Sequence, residues 1–207
     1  MSRRSGSPTL DTIVLFAIVF AVQVVVSLFT GLVGLVGVHD FLFVLQSPLR
    51  QPWAFVTSVY AHASLAHLLS NTVALVLVGF LLERRTTRAR FHAFFVVSGA
   101  LAGIAQVFVG GPGAGVLGAS GAVFALYGYV LGGNRLTDGI LARLNLPGWV
   151  EYAVFLVVAL VLTLATSAPR VALVAHFTGF LVGVAAGRVN LLAVSQRPAH
   201  GTRKESY

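Results

Sequence analysis

Cysteine is absent from the 207-residue sequence, and this absence excludes several chemistries at once. Without thiols the chain forms no disulfide and provides neither a thiolate nucleophile nor a thiolate metal ligand. Cysteine proteases and iron–sulfur proteins are therefore ruled out. The absence says nothing about the redox compartment.

Charged residues are also scarce: they make up 10% of the chain, whereas 57% is hydrophobic. The mean hydropathy is +0.90, and several apolar runs approach the roughly 20 residues that span a bilayer. We therefore expect one membrane domain at residues 12–192, between polar tails at 1–11 and 193–207. In a protein of the lipid bilayer, the net charge of +8 is typical of basic cytoplasmic loops. We therefore expect no nucleic-acid partner.

The apolar runs predict an all-α fold, a polytopic bundle of six transmembrane helices. The spans are expected at residues 12–38, 62–82, 91–109, 119–131, 149–166 and 171–192. The fourth run is short: as a helix it measures about 20–24 Å, less than the roughly 30 Å hydrocarbon core. A water-filled cavity is therefore expected at its outer end. Residues 39–61 are rich in aromatics and predict an interfacial first external loop.

The distribution of Lys and Arg predicts the orientation of the bundle. Of the 14 basic residues, all except Arg50 and Arg170 lie in the tails, in loops 83–90 and 132–148, or at the end of the sixth span. Because basic residues stay on the cytoplasmic side, both termini are expected on that side. The protein itself is expected in the plasma membrane. The glycine-rich turn at residues 110–115 would then open outward.

One serine stands among small residues just after that turn, in the sequence Gly118-Ala119-Ser120-Gly121. Glycine and proline end the preceding helix, so Ser120 is expected in the first turn of the next one. Unpaired N–H groups at that position favour negative charge, which suits a serine nucleophile and its oxyanion. The same small residues also suit close helix packing, and this stretch alone leaves both interpretations open.

Polar side chains inside the predicted spans are candidates for function. They are His62, His67, Asn71, Gln106, Ser120 and His176. His67 and Asn71 share a helix face and, with Ser120 and His176, are expected at one depth below the outer surface. Gln106 is interpreted as an interhelical hydrogen-bonding residue. An interfacial position remains open for His62.

Rows of small residues mark the fourth and sixth spans. They are Gly121, Ala125 and Gly128 on the fourth, and Ala175, Gly179, Gly183 and Gly187 on the sixth. Such rows let two helix backbones approach closely. A close approach would bring Ser120 within hydrogen-bond reach of His176, which activation of a nucleophile requires.

Three motifs, in this order, resemble the rhomboid family of intramembrane serine proteases. They are His62-x4-His67-x3-Asn71, Gly118-Ala119-Ser120-Gly121 and Ala175-His176-x2-Gly179, on spans two, four and six. The resemblance extends from about residue 51 to residue 187. Two positions depart from the family pattern: Ala54 replaces a common arginine, and Phe124 replaces a common tyrosine. Phe124 keeps an aromatic face for His176 but lacks the hydroxyl.

The resemblance implies a Ser120–His176 catalytic dyad without an acidic third member. The oxyanion would be held by the Ser120 N–H and by the side chains of His67 and Asn71. Supporting positions would be Gly118, Gly121, Phe124, Gly179 and His62. The substrates would be transmembrane segments of other proteins, reached from the external side.

Two other functions fit parts of the sequence. A catalytically inactive rhomboid-like protein would hold membrane clients uncut, although such proteins usually lack the serine or the histidine. A haem or metal protein would use His62, His67 and His176. The first two are five residues apart, or about 140° on a helix, and no Glu or Cys completes a metal set. We therefore expect no cofactor and no metal; the sequence indicates no oligomeric state.

Overall fold

A computed structural model describes residues 6–111, 113–133 and 172–193, together with the single positions 150, 153 and 157. Its helices are α1 (Pro8–Leu32), α2 (Val38–Phe43), α3 (Ala54–Tyr60), α4 (Leu65–Glu83), α5 (Arg88–Gly110), α6 (Ser120–Gly132) and α7 (Leu173–Arg188). Nearly all of the predicted fifth span, of the loop before it and of the C-terminal tail lies outside the described residues.

Three of these helices, α1, α4 and α5, are long and apolar enough to cross a membrane, with 25, 19 and 23 residues. Helices α6 and α7 are shorter apolar helices of 13 and 16 residues. The described ranges contain no β-strand, only an isolated bridge, so the all-helical fold is confirmed for them. The count of six spans, with α6 as a short fourth one, stays a prediction.

Helix α1 begins and ends earlier than the apolar run predicts. Ser7 accepts a hydrogen bond from the Leu10 N–H at 3.2 Å, and Pro8 suits the first helical turn. Beyond the other end, two glycines with φ of +73° and +84° exclude a continuing right-handed helix. The helix therefore covers Pro8–Leu32 instead of the predicted 12–38.

Helix α4 begins three residues later than predicted, because Ser64 is its N-cap. The Ser64 hydroxyl accepts a hydrogen bond from the His67 N–H at 3.2 Å. His62 therefore lies in the connection between α3 and α4, outside the helix. The predicted start of the second span at residue 62 is wrong for this reason.

The segment predicted as an interfacial loop, residues 39–61, is more ordered than a simple loop, since it contains α3 and most of α2. The Trp53 indole N–H donates to the Phe41 carbonyl at 3.0 Å. Leu45 and Val116 exchange two backbone hydrogen bonds of 2.9 and 3.1 Å. The two bonds between Leu45 and Val116 join the segment to the turn before α6.

The buried core lies among α1, α4, α5 and α6. Its fully buried side chains include Phe16, Leu75, Phe95 and Leu126, one from each helix. Much of the outward face of α1 is apolar and exposed, as expected for a helix that meets lipid.

Helices α6 and α7 form the most extensive helix pair in the described part of the chain. A Cβ atom on Gly179 would overlap the carbonyl oxygen of Gly121, and one on Gly183 would overlap that of Ala125. The two backbones thus touch directly, as the rows of small residues predict. The contact lies one residue after Ser120 and three after His176.

We expect Gly179→Leu to insert and accumulate normally, since leucine suits both helices and lipid. Its side chain would push α6 and α7 apart, and a displacement of 1 Å between reacting groups can lower a rate by about 10²-fold. Labelling of Ser120 by a fluorophosphonate measures this loss.

The matched control is Gly31→Leu on α1, where nothing lies within 4 Å of an added Cβ. It should label at the wild-type rate. Near-normal labelling of Gly179→Leu would show that this helix contact does not set the geometry of the site.

Candidate active site

A cavity of about 710 Å³ lies between α4, α6 and α7. Its lining includes His67 and Asn71 from α4, Ser120 and Phe124 from α6, and His176 from α7. The four polar residues that the sequence places at one depth therefore line a single cavity.

Ser120 is the first residue of α6, and its side chain is half-buried at the cavity. The first hydrogen bond of the helix runs from the Val123 N–H to the Ala119 carbonyl, at 2.9 Å. The N–H groups of residues 120–122 precede that bond and have no partner within the helix. Together with the helix dipole, they favour an anion beside Ser120.

The turn before Ser120 depends on Gly118. Its N–H donates to the Ser58 carbonyl at 2.8 Å, which ties the turn to α3. Its φ is +131°, and a Cβ here would lie 2.6 Å from Cε1 of His67. A side chain is therefore excluded both by the backbone conformation and by the imidazole that lies against it.

His67 and Asn71 present an imidazole and an amide to the cavity from one face of α4. The Asn71 amide is buried and donates to the His67 carbonyl one turn earlier, at 3.0 Å. An amide nitrogen carries two hydrogens, so a second donor remains for a ligand. The arrangement can stabilise negative charge that develops near Ser120.

His176 lies in the first turn of α7 and is 4% exposed. Its ring stacks on Phe124 with 4.5 Å between centroids and 10° between planes. Neither ring nitrogen has a hydrogen-bond partner in the structure as described, so no bond to Ser120 is formed. Buried polar atoms are normally paired, and an unpaired imidazole facing a cavity is free to accept a proton there.

Gln106 of α5 holds the start of the helix that carries His176. Its side-chain oxygen accepts a hydrogen bond from the Ala175 N–H at 3.3 Å. This N–H belongs to the first turn of α7, where backbone donors lack partners within the helix. The bond joins α5 to α7, and the interhelical interpretation of Gln106 is confirmed.

His62 is a buried residue of the connection between α3 and α4 and does not belong to the predicted second span. It is 2% exposed and packs edge-on against Phe16, with 4.8 Å between ring centroids, so its ring is enclosed by protein. It also packs edge-on against His67, at 5.3 Å. The angular argument against joint metal ligation was therefore wrong, because α4 starts after His62. Among the described residues no three His, Asp or Glu side chains converge as metal ligands do.

The sequence analysis missed one polar residue, Gln23 of α1. It is 3% exposed, and its side-chain oxygen accepts a hydrogen bond from the His62 N–H at 2.9 Å. The sequence contained a signal for this residue: a single amide within an apolar run of membrane-spanning length usually faces protein.

The Rhomboid domain family model matches residues 49–192, and the chain belongs to the rhomboid family. RHOMBOID-like protein 5 of Arabidopsis thaliana is 31% identical over 157 residues, which are 75% of this chain and 48% of that protein. Rhomboid protease GlpG of Salmonella choleraesuis is 32% identical over 152 residues, which are 70% of this chain and 51% of that protein. Rhomboid protease GlpG of Haemophilus influenzae is 24% identical over 156 residues, which are 73% of this chain and 79% of that protein. The chain thus spans about half the length of the first two relatives.

If this cavity is the active site of a peptidase, Asn71→Ala should lower the kcat of peptide-bond cleavage by about 10²–10³, the usual effect of removing one oxyanion donor. Ser70→Ala is the matched control, because Ser70 lines the same cavity but its single hydroxyl proton is already donated to the His67 carbonyl, which leaves none for a ligand. Cleavage of a model transmembrane substrate measures both. Wild-type rates for both Asn71→Ala and His67→Ala would show that neither side chain stabilises the oxyanion.

Proposed function

We propose that this chain is an intramembrane serine endopeptidase that cleaves transmembrane segments of other membrane proteins. One observation carries the proposal: Ser120 at a helix N-terminus and the buried, unpaired His176 line the same cavity. Membership of the rhomboid family, with relatives named rhomboid protease, supports it.

In the proposed reaction, Ser120 Oγ attacks the carbonyl carbon of the scissile bond while His176 takes the hydroxyl proton. The tetrahedral oxyanion accepts hydrogen bonds from the Ser120 N–H, Asn71 and His67. His176 then gives its proton to the leaving amine, and an acyl-enzyme remains. Water attacks this ester with His176 again as base, and Ser120 is restored. Stacking on Phe124 keeps the imidazole plane fixed through both steps.

An inactive protein that binds membrane clients is the second candidate, favoured by one observation. No hydrogen bond joins Ser120 to His176 in the described structure. Catalytic hydrogen bonds often form only when substrate is bound, so both candidates are compatible with this geometry. Cleavage separates them, because a client-binding protein would retain the substrate intact.

We expect Ser120→Ala and His176→Ala each to abolish cleavage of a model transmembrane substrate while the protein still inserts. Residues that act as one unit give non-additive losses, so the double variant should be no worse than either single variant. Rates are measured with purified protein in liposomes. Appreciable cleavage by Ser120→Ala would contradict the assignment of the nucleophile.

We also propose that the chain lies in the plasma membrane with both termini in the cytoplasm and the cavity open to the outside. Support comes from the excess of basic residues in the tails and in the loops at 83–90 and 132–148. A reporter fused after residue 207 should then be cytoplasmic, and one inserted in the turn at 110–115 external. A cytoplasmic signal from the turn would contradict the orientation.

A further inference from the structure

A continuous chain of hydrogen bonds links the first membrane helix to the segment before α4. Asp40 and His39 of α2 are joined at 3.1 Å, and His39 Nε2 lies 3.1 Å from the amide nitrogen of Gln23 on α1. The Gln23 oxygen accepts from the His62 backbone N–H at 2.9 Å. Gln23 is thus the only link in this chain that comes from a membrane-spanning helix.

The donors and acceptors of this chain match in one arrangement. The backbone N–H of His62 only donates, so Gln23 must turn its oxygen toward it and its NH2 toward His39. His39 Nε2 must therefore accept, which leaves the proton on Nδ1, facing the Asp40 carboxylate. The His62 N–H thus sets the orientation of the Gln23 amide, and His39, paired with Asp40, accepts from its NH2 and holds it there.

His62 passes this constraint on to the cavity. Its Nδ1 donates to the Tyr60 carbonyl at 3.0 Å, and its ring packs edge-on against that of His67 at 5.3 Å. The His67 ring in turn lies against Gly118, two residues before Ser120. A shift of His62 therefore moves an imidazole that borders the site.

We propose that Gln23 is a positioning residue for the active site. By accepting the His62 N–H it holds the edge-on pair of His62 and His67 in place, so that His67 faces the cavity correctly. This inference rests on the proposed protease function. Gln23 lines no part of the cavity itself and acts only through His62.

The test compares the rate at which a fluorophosphonate labels Ser120 in the purified full chain. Gln23→Leu keeps the size of the side chain but leaves the His62 N–H without an acceptor. We expect the labelling rate to fall at least about tenfold. In cleavage of a model transmembrane substrate, kcat should fall while KM stays unchanged. Gln23→Glu keeps an acceptor oxygen for the His62 N–H, and its carboxylate can accept from His39 once the imidazole carries a proton on Nε2 as well as on Nδ1. Its labelling rate should stay within about 1.5-fold of wild type.

The matched control is Thr30→Val, which removes a buried hydroxyl from the same helix. That hydroxyl donates only to the Val26 and Ser27 carbonyls of α1 itself, so labelling should be unchanged. His39→Leu removes the acceptor that holds the Gln23 NH2 and leaves the bond between Gln23 and the His62 N–H in place, and it should lower the labelling rate about threefold. This variant keeps the inference testable if Gln23→Leu does not fold.

Three results would overturn the inference: a wild-type rate for Gln23→Leu, a Gln23→Glu as slow as Gln23→Leu, or an equal loss in Thr30→Val. When Gln23→Leu does not fold, a wild-type rate for His39→Leu overturns it instead. Ser120→Ala supplies the blank. If the wild-type chain is not labelled above that blank, the proposed function fails and the inference fails with it. If wild type and Gln23→Leu are labelled alike, only the role of Gln23 is refuted.

Discussion

The direct contact between the backbones of α6 and α7 is the constraint on which the site depends. Gly179 meets the Gly121 carbonyl, and any side chain there would overlap it. Lipid tails provide no hydrophobic force between helices, so close packing of small residues has to hold them together. Ser120 lies one residue before Gly121 in α6, and His176 lies three residues before Gly179 in α7. Their relative position is therefore set by backbone packing and not by a bond between the two side chains.

Hydrogen bonds from three other helices then fix the walls around this pair. Gln106 of α5 holds the first turn of α7, and the Ser58 carbonyl of α3 holds the turn that contains Gly118. On the α4 side, the Ser64 cap starts the helix just before His67. The bonds from Gln106 and Ser64 satisfy N–H groups that helix geometry leaves without a partner, and the Ser58 carbonyl satisfies an N–H of the turn. Each bond lies within two residues of a side chain that lines the cavity. The same bonds that complete the fold thereby shape the site.

The sequence predicted what depends on local pattern and missed what depends on distant partners. Apolar runs predicted α1 and α4 to α7, whereas α2 and α3 formed in a segment predicted as a loop. The spacing of small residues predicted the meeting of α6 and α7. Helix ends were misplaced by a few residues, because a capping serine such as Ser64 outweighs hydropathy. His62 was consequently assigned to a helix that it precedes. The role of Gln23 was not foreseen, since its partner is 39 residues away.

The central claim is that Ser120 is a nucleophile activated by His176. Its most direct measurement is the reaction of the purified chain with a fluorophosphonate, followed by mass-spectrometric mapping of the modified peptide. The account predicts a single phosphonate adduct, on Ser120, and none when His176 is replaced by alanine. An adduct on another residue, no adduct on the wild-type chain, or equal modification without His176 would contradict it.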